Sequence, residues 1–96
     1  MNITATQTLA VAGIEIDVKV EFEAVRRHGN VFITDINDVT PVKPLGDQIS
    51  NWVKGTEYAN HDQVELLRAV ESALDVRDYA TILDMDALSE IASESV

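Results

Sequence analysis

Carboxylates are the side chains in this sequence with the greatest capacity for chemistry, since 17 aspartates and glutamates stand against 7 lysines and arginines. Residues 57–96 contain ten of the acidic residues and two of the basic ones, which gives this segment a charge of −8 within a chain total of −10. On a helix, residues spaced by four lie along one line about 6 Å apart. Seven acids at or near this spacing are predicted to contact a partner: Glu71, Asp75, Asp78, Asp84, Asp86, Glu90 and Glu94.

This spacing forms two rows of like charge. One row runs through Asp86, Glu90 and Glu94, and the other runs from Glu71 to Asp78. Like charges at these spacings destabilise a helix by a few tenths of a kcal/mol per pair, and no lysine stands at the complementary positions. An acidic binding face that imitates a phosphate backbone accounts for the rows. The alternative interpretation is an acidic surface that only faces solvent.

Other chemistry has little support in the sequence. Asp84, Asp86 and Glu90 have the spacing that begins a calcium loop, but an EF-hand needs a further ligand and a glycine where Leu88 and Ser89 stand. The chain has no cysteine, and neither of its two histidines has the surroundings of a catalytic dyad. We therefore expect no enzymatic activity, no metal site and no cofactor.

Hydrophobic periodicity predicts the elements that position these residues. The segment GIEIDVKVEFEAV alternates between apolar and polar residues, which is the pattern of a strand with one solvated face. A tight turn centred on Ala12-Gly13 would place the apolar residues of the preceding stretch on the same face. Gln7 is the one polar residue among them. The predicted pairs are Val11 with Ile14, Leu9 with Ile16, Ala5 with Val20, and Ile3 with Phe22.

A third strand is predicted at about residues 31–39, after a second turn. A three-residue loop pairs Ala24 with Phe32, and this register is the preferred one. A loop that differs by one residue turns Val31 and Ile33 toward the core instead. The facing of this strand therefore depends on the length of the loop.

Helical spacing begins after a connector at residues 41–46, which contains two prolines. The first helix is predicted at Asp47–Lys54, ended by Gly55. Asn60 is the expected N-cap of the second helix. That helix carries its apolar residues at helical spacing: Val64, Leu67, Val70 and Leu74.

A break is predicted near Asp75–Asp78, and a last helix follows it. The composition of Tyr79–Leu83 also suits a short strand, so that alternative stays open. The apolar set assigned to the last helix is Ile82, Leu83, Leu88, Ile91 and Ala92.

Together these elements predict one α+β domain over residues 1–96. A small three-stranded antiparallel sheet occupies residues 1–40, and two to three helices in residues 47–96 pack on one face of it. The predicted core consists of strand and helix residues buried together: Ile16, Val18, Val20, Phe22, Leu67, Val70 and Leu74.

Charge and composition restrict the class of function. A net charge of −10 on 96 residues disfavours binding to nucleic acids and anionic membranes, and it favours a basic protein surface as the partner. No apolar run approaches the ~18–20 residues of a membrane span. The N-terminus lacks the positive start of a secretory signal, and the chain has no cysteine for disulfides. We therefore expect a cytoplasmic protein.

The expected function is that of a non-enzymatic inhibitor that occupies a basic, nucleic-acid-binding surface of a partner protein. A phage or mobile-element antagonist of a host machine, including the anti-CRISPR type, is a protein of this kind. The alternative is a homodimeric structural or assembly protein that associates through an apolar strand edge or helix face. Trp52 is expected in the core, or alternatively as an interface anchor. The basic cluster Arg26–His28 is expected in a solvated turn, where it could meet an acidic patch on a second copy.

Overall fold

A computed structural model describes residues 1–60, 62–75 and 82–95, apart from the side chain of Tyr58. Three strands are followed by helices, which confirms the predicted α+β class. The sheet is antiparallel, with the strands in the order β1-β2-β3. The elements are β1 (Asn2–Val11), β2 (Ile14–Arg27), β3 (Asn30–Pro41), α1 (Leu45–Val53), a 3₁₀ helix (Glu57–Asn60), α2 (Gln63–Leu74) and α3 (Met85–Ser95).

The β1–β2 hairpin has the predicted register throughout, from Val11 opposite Ile14 to Ile3 opposite Phe22. Ala12 and Gly13 both have positive φ, 50° and 80°, as the two central residues of a type I′ turn require. The twist of this turn matches the twist of the strands, so the hairpin continues in one register for ten residue pairs.

The preferred register of β3 was wrong, and the alternative was right. Ala24 pairs with Ile33 instead of Phe32. His28 and Gly29, with φ of 55° and 81°, form a two-residue turn, which is one residue shorter than the preferred loop. Phe32 is consequently 50% exposed, whereas Ile33 packs against the core.

Two β-bulges in β3 account for its irregular pattern. They leave Thr34 and Asn37 without an opposite residue in the register of β2 and β3, which shifts between Glu23 and Ala24 and again between Glu21 and Phe22. Each bulge shifts the alternation of facing by one residue. Three apolar residues spaced three apart therefore all lie opposite inward-facing residues of β2: Ile33, Ile36 and Val39.

The helix boundaries differ from the predictions at the N-terminal ends. The helix α1 begins at Leu45, directly after Pro44, and not at Asp47. The N-cap of α2 is Asp62, whose carboxylate accepts a hydrogen bond from Val64 N at 2.9 Å, and not Asn60, which ends the 3₁₀ helix. A carboxylate at this position also interacts favourably with the helix dipole.

The predicted stops of the helices agree with the structure. Gly55 has a φ of 75° just beyond α1, and α2 ends at Leu74 with Asp75 as its C-cap. The choice between helix and strand at Tyr79–Leu83 lies mostly outside the described residues. Ile82 and Leu83 lie in a turn before α3, and Leu83 is buried.

The core lies between the inward face of the sheet and the helices. The predicted residues of β2 are fully buried, and so is Val70 of α2. Leu67 and Leu74 are only partly buried against this core, and Val64 is 57% exposed, so α2 shields less of its apolar face than predicted. The other buried residues outside the sheet are Ile49 and Val53 of α1, Leu83 in the turn before α3, and Leu88 and Ala92 of α3.

Two glutamine side chains join helices to the sheet through pairs of hydrogen bonds to the backbone. The amide of Gln7 donates to Asp84 O at 2.8 Å and accepts from Asp84 N at 3.1 Å, which ties β1 to the start of α3. The amide of Gln48 on α1 accepts from Asp17 N at 2.7 Å and donates to Asp17 O at 3.1 Å. Asp17 O also accepts a hydrogen bond from Val42 N at 3.0 Å, so the Gln48 amide adds to the backbone pairing of β2 at the end of β3. The polar residue that interrupts the pattern of β1 is therefore a helix anchor.

Candidate functional site

The predicted helical carboxylates lie on the surface wherever the structure describes them. Glu71 is exposed on α2 and Asp75 is exposed at its C-cap. The row of α3 is exposed along its whole length: Asp86, Glu90 and Glu94. Asp78 lies outside the described residues.

Asp84 differs from the other five carboxylates that the structure describes because it has a structural role. It precedes α3, and its carboxylate accepts a hydrogen bond from Ala87 N at 3.2 Å. Its backbone is held by the Gln7 amide. Asp84 is exposed, but its carboxylate stabilises the N-terminus of α3, where a negative charge is favourable.

The row on α3 points away from the sheet. Leu88 and Ala92 form the buried side of α3, and Glu90 is two residues from each of them, about 200° around the helix axis. Glu94 lies in the last turn, and neither α2 nor α3 has a basic residue in its last turn. A negative charge at a helix C-terminus opposes the helix dipole, so the placement of Asp75 and Glu94 costs folding energy.

A second acidic surface, which sequence reasoning missed, lies on the open face of the sheet. We call it the acidic sheet face. Glu21 lies directly opposite Asp38, and Glu23 lies directly opposite Asp35. Like charges directly opposite each other destabilise a sheet. The surface consists of six carboxylates from β2 and β3: Glu15, Asp17, Glu21, Glu23, Asp35 and Asp38.

The acidic sheet face was missed for two reasons. Residues 1–56 carry seven acids and five bases, so their net charge is near neutral. The alternation of β2 does place four of the acids on one face, but Asp35 and Asp38 are three residues apart and would face opposite ways in a regular strand. The bulge at Asn37 brings both of them opposite glutamates of β2.

Few of these charges are neutralised. Lys19 Nζ lies 3.8 Å from Glu21 Oε1, and both side chains are exposed to solvent. Of the carboxylates in the described part of the chain, Glu21 is the one within 4 Å of a cationic nitrogen. Asp17 accepts a hydrogen bond from Thr8 Oγ1 at 2.6 Å, which orients its carboxylate without neutralising it.

The basic cluster at the β2–β3 turn is partly used by the fold. The guanidinium of Arg26 donates from Nη1 to Gly29 O at 3.3 Å and from Nη2 to Ser93 O at 3.2 Å. The second bond reaches the last turn of α3, where carbonyls lack partners within the helix and a cation is favourable. Arg26 therefore holds the end of α3 on the sheet, while Arg27 and His28 are exposed.

Trp52 lies at the junction of the core and the acidic sheet face. It is partly buried and packs against the core cluster. It also borders an open hollow of about 410 Å³ between α1 and β2. The other residues that line this hollow are Thr8, Glu15, Asp17, Lys43, Gln48 and Asn51. Trp52 therefore belongs to the core on one side and to the surface on the other.

Residues 1–60, 62–75 and 82–95 contain neither a cluster of metal ligands nor a helix that could span a membrane. In these ranges no three histidine, aspartate or glutamate side chains are grouped so that they could hold a metal ion. None of the helices described is long and apolar enough to cross a bilayer. Comparison with protein-family models, curated proteins and solved structures found no significant match.

Proposed function

We propose that this chain is a small, acidic, cytoplasmic interaction protein without enzymatic activity, which inhibits its partner by occupying a basic, nucleic-acid-binding surface. The observation that carries the proposal is that, within the described residues, the surface carboxylates other than Glu21 have no cationic nitrogen within 4 Å, on the helices and on the sheet alike. An antagonist made by a phage or mobile element against a host machine, such as an anti-CRISPR protein, would have this function.

The cost of the charge arrangement supports the proposal. Glu21 with Asp38, and Glu23 with Asp35, are like-charge pairs that weaken the sheet. The row of Asp86, Glu90 and Glu94 weakens α3, and Asp75 and Glu94 at the C-terminal ends of α2 and α3 oppose the helix dipole. Of the row predicted from Glu71 to Asp78, Glu71 alone lies within α2, which ends at Leu74. A fold without a partner would be more stable with mixed charges at these positions. A basic partner surface would instead compensate the repulsion when it binds.

Two surfaces are candidates for the contact. The first is the row of Asp86, Glu90 and Glu94 on α3, with Glu71 and Asp75 at the C-terminal end of α2. The second is the acidic sheet face, whose carboxylates are held in two neighbouring lines by backbone pairing. The two surfaces lie on opposite layers of the molecule, since the helices cover the face of the sheet that points inward.

The proposal is tested by capture of partners from host lysate on the immobilised protein. Binding is compared at about 0.1 M and about 1 M salt, where the screening length falls from about 10 Å to about 3 Å. We expect a nucleic-acid-binding protein to be captured at low salt and lost at high salt, and excess nucleic acid to displace it. A partner that is retained at high salt and unaffected by nucleic acid would contradict the proposal.

A further inference from the structure

The two edges of the sheet differ in how they are protected against pairing with another strand. The β3 edge carries the bulges at Thr34 and Asn37, two aspartates and a terminal Pro41. Bulges, charges and proline are the devices by which natural proteins block an edge. The β1 edge has none of them: its ten residues are uncharged, contain no proline and pair with β2 in an unbroken register.

The backbone groups on the open side of β1 can be identified from the turn. The two residues that flank a two-residue hairpin turn, Val11 and Ile14, form a hydrogen-bonded pair, so the odd-numbered residues of β1 bond to β2. Met1, which is also odd-numbered, exchanges backbone hydrogen bonds with Ala24 of β2 at 3.0 and 3.1 Å, as this assignment requires. The residues whose N–H and C=O point outward are therefore Asn2, Thr4, Thr6, Thr8 and Ala10.

These outward groups are available for pairing. The side chains of all five residues are exposed, and within the described ranges no hydrogen bond reaches their backbone N–H or C=O. A strand of ten residues spans about 33 Å, so the free edge covers more than half of the 53 Å length of the molecule.

We propose that a second copy of this chain pairs with β1 in antiparallel orientation and forms a continuous six-stranded sheet. The two-fold axis passes through Thr6, which lies opposite the same residue of the second copy. Thr4 then lies opposite Thr8, and Asn2 opposite Ala10. This register uses all five outward residues of each copy and forms about ten hydrogen bonds, a typical number for a protein interface. If the two β1 strands were shifted by one residue, an outward-pointing residue of one copy would lie opposite an inward-pointing residue of the other, and these hydrogen bonds would be lost.

The charges of the molecule are compatible with a second copy as the occupant. No charged residue lies on β1, and the acidic β2 strands of the two copies are three strand spacings apart, about 14 Å, which exceeds the screening length of about 8 Å at physiological salt. In this register Glu15 and Asp17 of one copy come level with Glu23 and Glu21 of the other, but the two uncharged β1 strands lie between them. The acidic strands are therefore kept apart, and salt screens the repulsion that remains.

The proposal is tested by sedimentation of the full chain from micromolar to millimolar concentration, with amide hydrogen exchange of the same samples. We expect a concentration-dependent dimer in which the amides of Thr4, Thr6 and Thr8 exchange more slowly as the dimer forms. A chain that stays monomeric over this range overturns the proposal, even if its β1 edge binds an extended segment of another protein. A dimer without new protection at these three amides also overturns it.

Variants at the two-fold axis make the test specific. Thr6→Pro removes the outward N–H while the inward bonds of β1 remain, and we expect association to weaken roughly tenfold or more. Thr6→Lys places the two lysines of the dimer opposite each other at the two-fold axis, so it should also weaken association. This loss is expected even though the added lysine makes the chain less negative overall. Thr34→Lys, the same change on the opposite edge, should leave the dimer intact. Equal effects of Thr6→Lys and Thr34→Lys would overturn the proposal, and Thr6→Lys remains informative if Thr6→Pro fails to fold.

Dimerisation through β1 is independent of the proposed inhibitory function. The acidic sheet face and the helical carboxylates both stay exposed on a dimer joined at this edge. A monomeric chain that still captures a basic partner, and a dimer that captures none, are therefore distinguishable results.

Discussion

Single side chains fix the position of α3 on the sheet. Gln7 holds its start through Asp84, and Arg26 holds its end through Ser93 O. Both residues interrupt a sequence pattern: Gln7 is polar among apolar positions, and Arg26 belongs to a basic cluster. Each of these two residues makes a hydrogen bond to a residue more than 60 positions later in the sequence. A misfit residue in a strand pattern can therefore mark a tertiary contact.

The first prediction concerns Gln7. Gln7→Ala removes two hydrogen bonds to the backbone of Asp84, and we expect it to lower the free energy of unfolding by about 1–2 kcal/mol. Urea denaturation followed by circular dichroism measures this change. Gln63→Ala, at an exposed position of α2, is the control and should change stability by less than about 0.5 kcal/mol. Equal effects of the two substitutions would contradict the role of Gln7 as an anchor.

Among the elements, α3 completes the core more fully than the sequence pattern suggested, and α2 less fully. Leu88 and Ala92 of α3 have no exposed surface, whereas Leu67 and Leu74 of α2 are partly buried. Truncating a fully buried leucine typically costs about 2–5 kcal/mol. A loss of this size is expected at Leu88, and smaller losses are expected at Leu67 and Leu74.

The second prediction tests this packing. Leu88→Ala leaves a cavity under the sheet and should lower the free energy of unfolding by about 2–5 kcal/mol. Val64→Ala, at a position that is 57% exposed, should cost less than about 0.5 kcal/mol. Chemical denaturation of both variants measures the difference. A loss below about 1 kcal/mol for Leu88→Ala would mean that α3 does not pack on the sheet.

At the scale of the whole molecule, the negative charge lies on both layers and not only on the helical half. The acidic sheet face contributes six carboxylates, and the helical rows contribute the residues predicted from the sequence. The molecule is elongated, 53 × 24 × 18 Å, so a partner can contact one layer without contacting the other. Substitutions that remove equal charge from each layer can therefore locate the contact.

The third prediction compares two such substitutions. The helical triple is Asp86→Asn, Glu90→Gln and Glu94→Gln, and the sheet triple is Glu21→Gln, Glu23→Gln and Asp38→Asn. Both should leave the fold intact or slightly stabilise it, because repulsion between like charges is relieved. We expect the helical triple to weaken partner binding more, mainly through slower association with a smaller salt dependence.

Association and dissociation rates, measured at several salt concentrations on the captured partner, distinguish the outcomes. A larger loss from the sheet triple would assign the contact to the acidic sheet face. Equal losses would show that total charge determines binding. If neither triple has an effect and Trp52→Ala abolishes binding, an apolar interface is responsible.

The sequence by itself determined the β1–β2 hairpin, the α+β class and the end of each of the first two helices. These features depend on neighbouring residues: the alternation of β2, the left-handed turn at Ala12-Gly13, and Gly55 after α1. It also determined that the helical half is acidic. The structure describes six of the seven predicted carboxylates, and all six are exposed.

The tertiary structure alone decided the facing of β3, the anchoring roles of Gln7 and Arg26, and the addition of Asp35 and Asp38 to the acidic sheet face. A loop shorter by one residue turned Ile33 toward the core. Two bulges then placed Ile36 and Val39 on the inward face as well, at a spacing of three that neither a regular strand nor the sequence pattern predicts. The same bulges placed Asp35 and Asp38 opposite glutamates. These outcomes depend on the pairing of β3 with β2. The sequence of β3 by itself does not specify which of its residues are left unpaired as bulges.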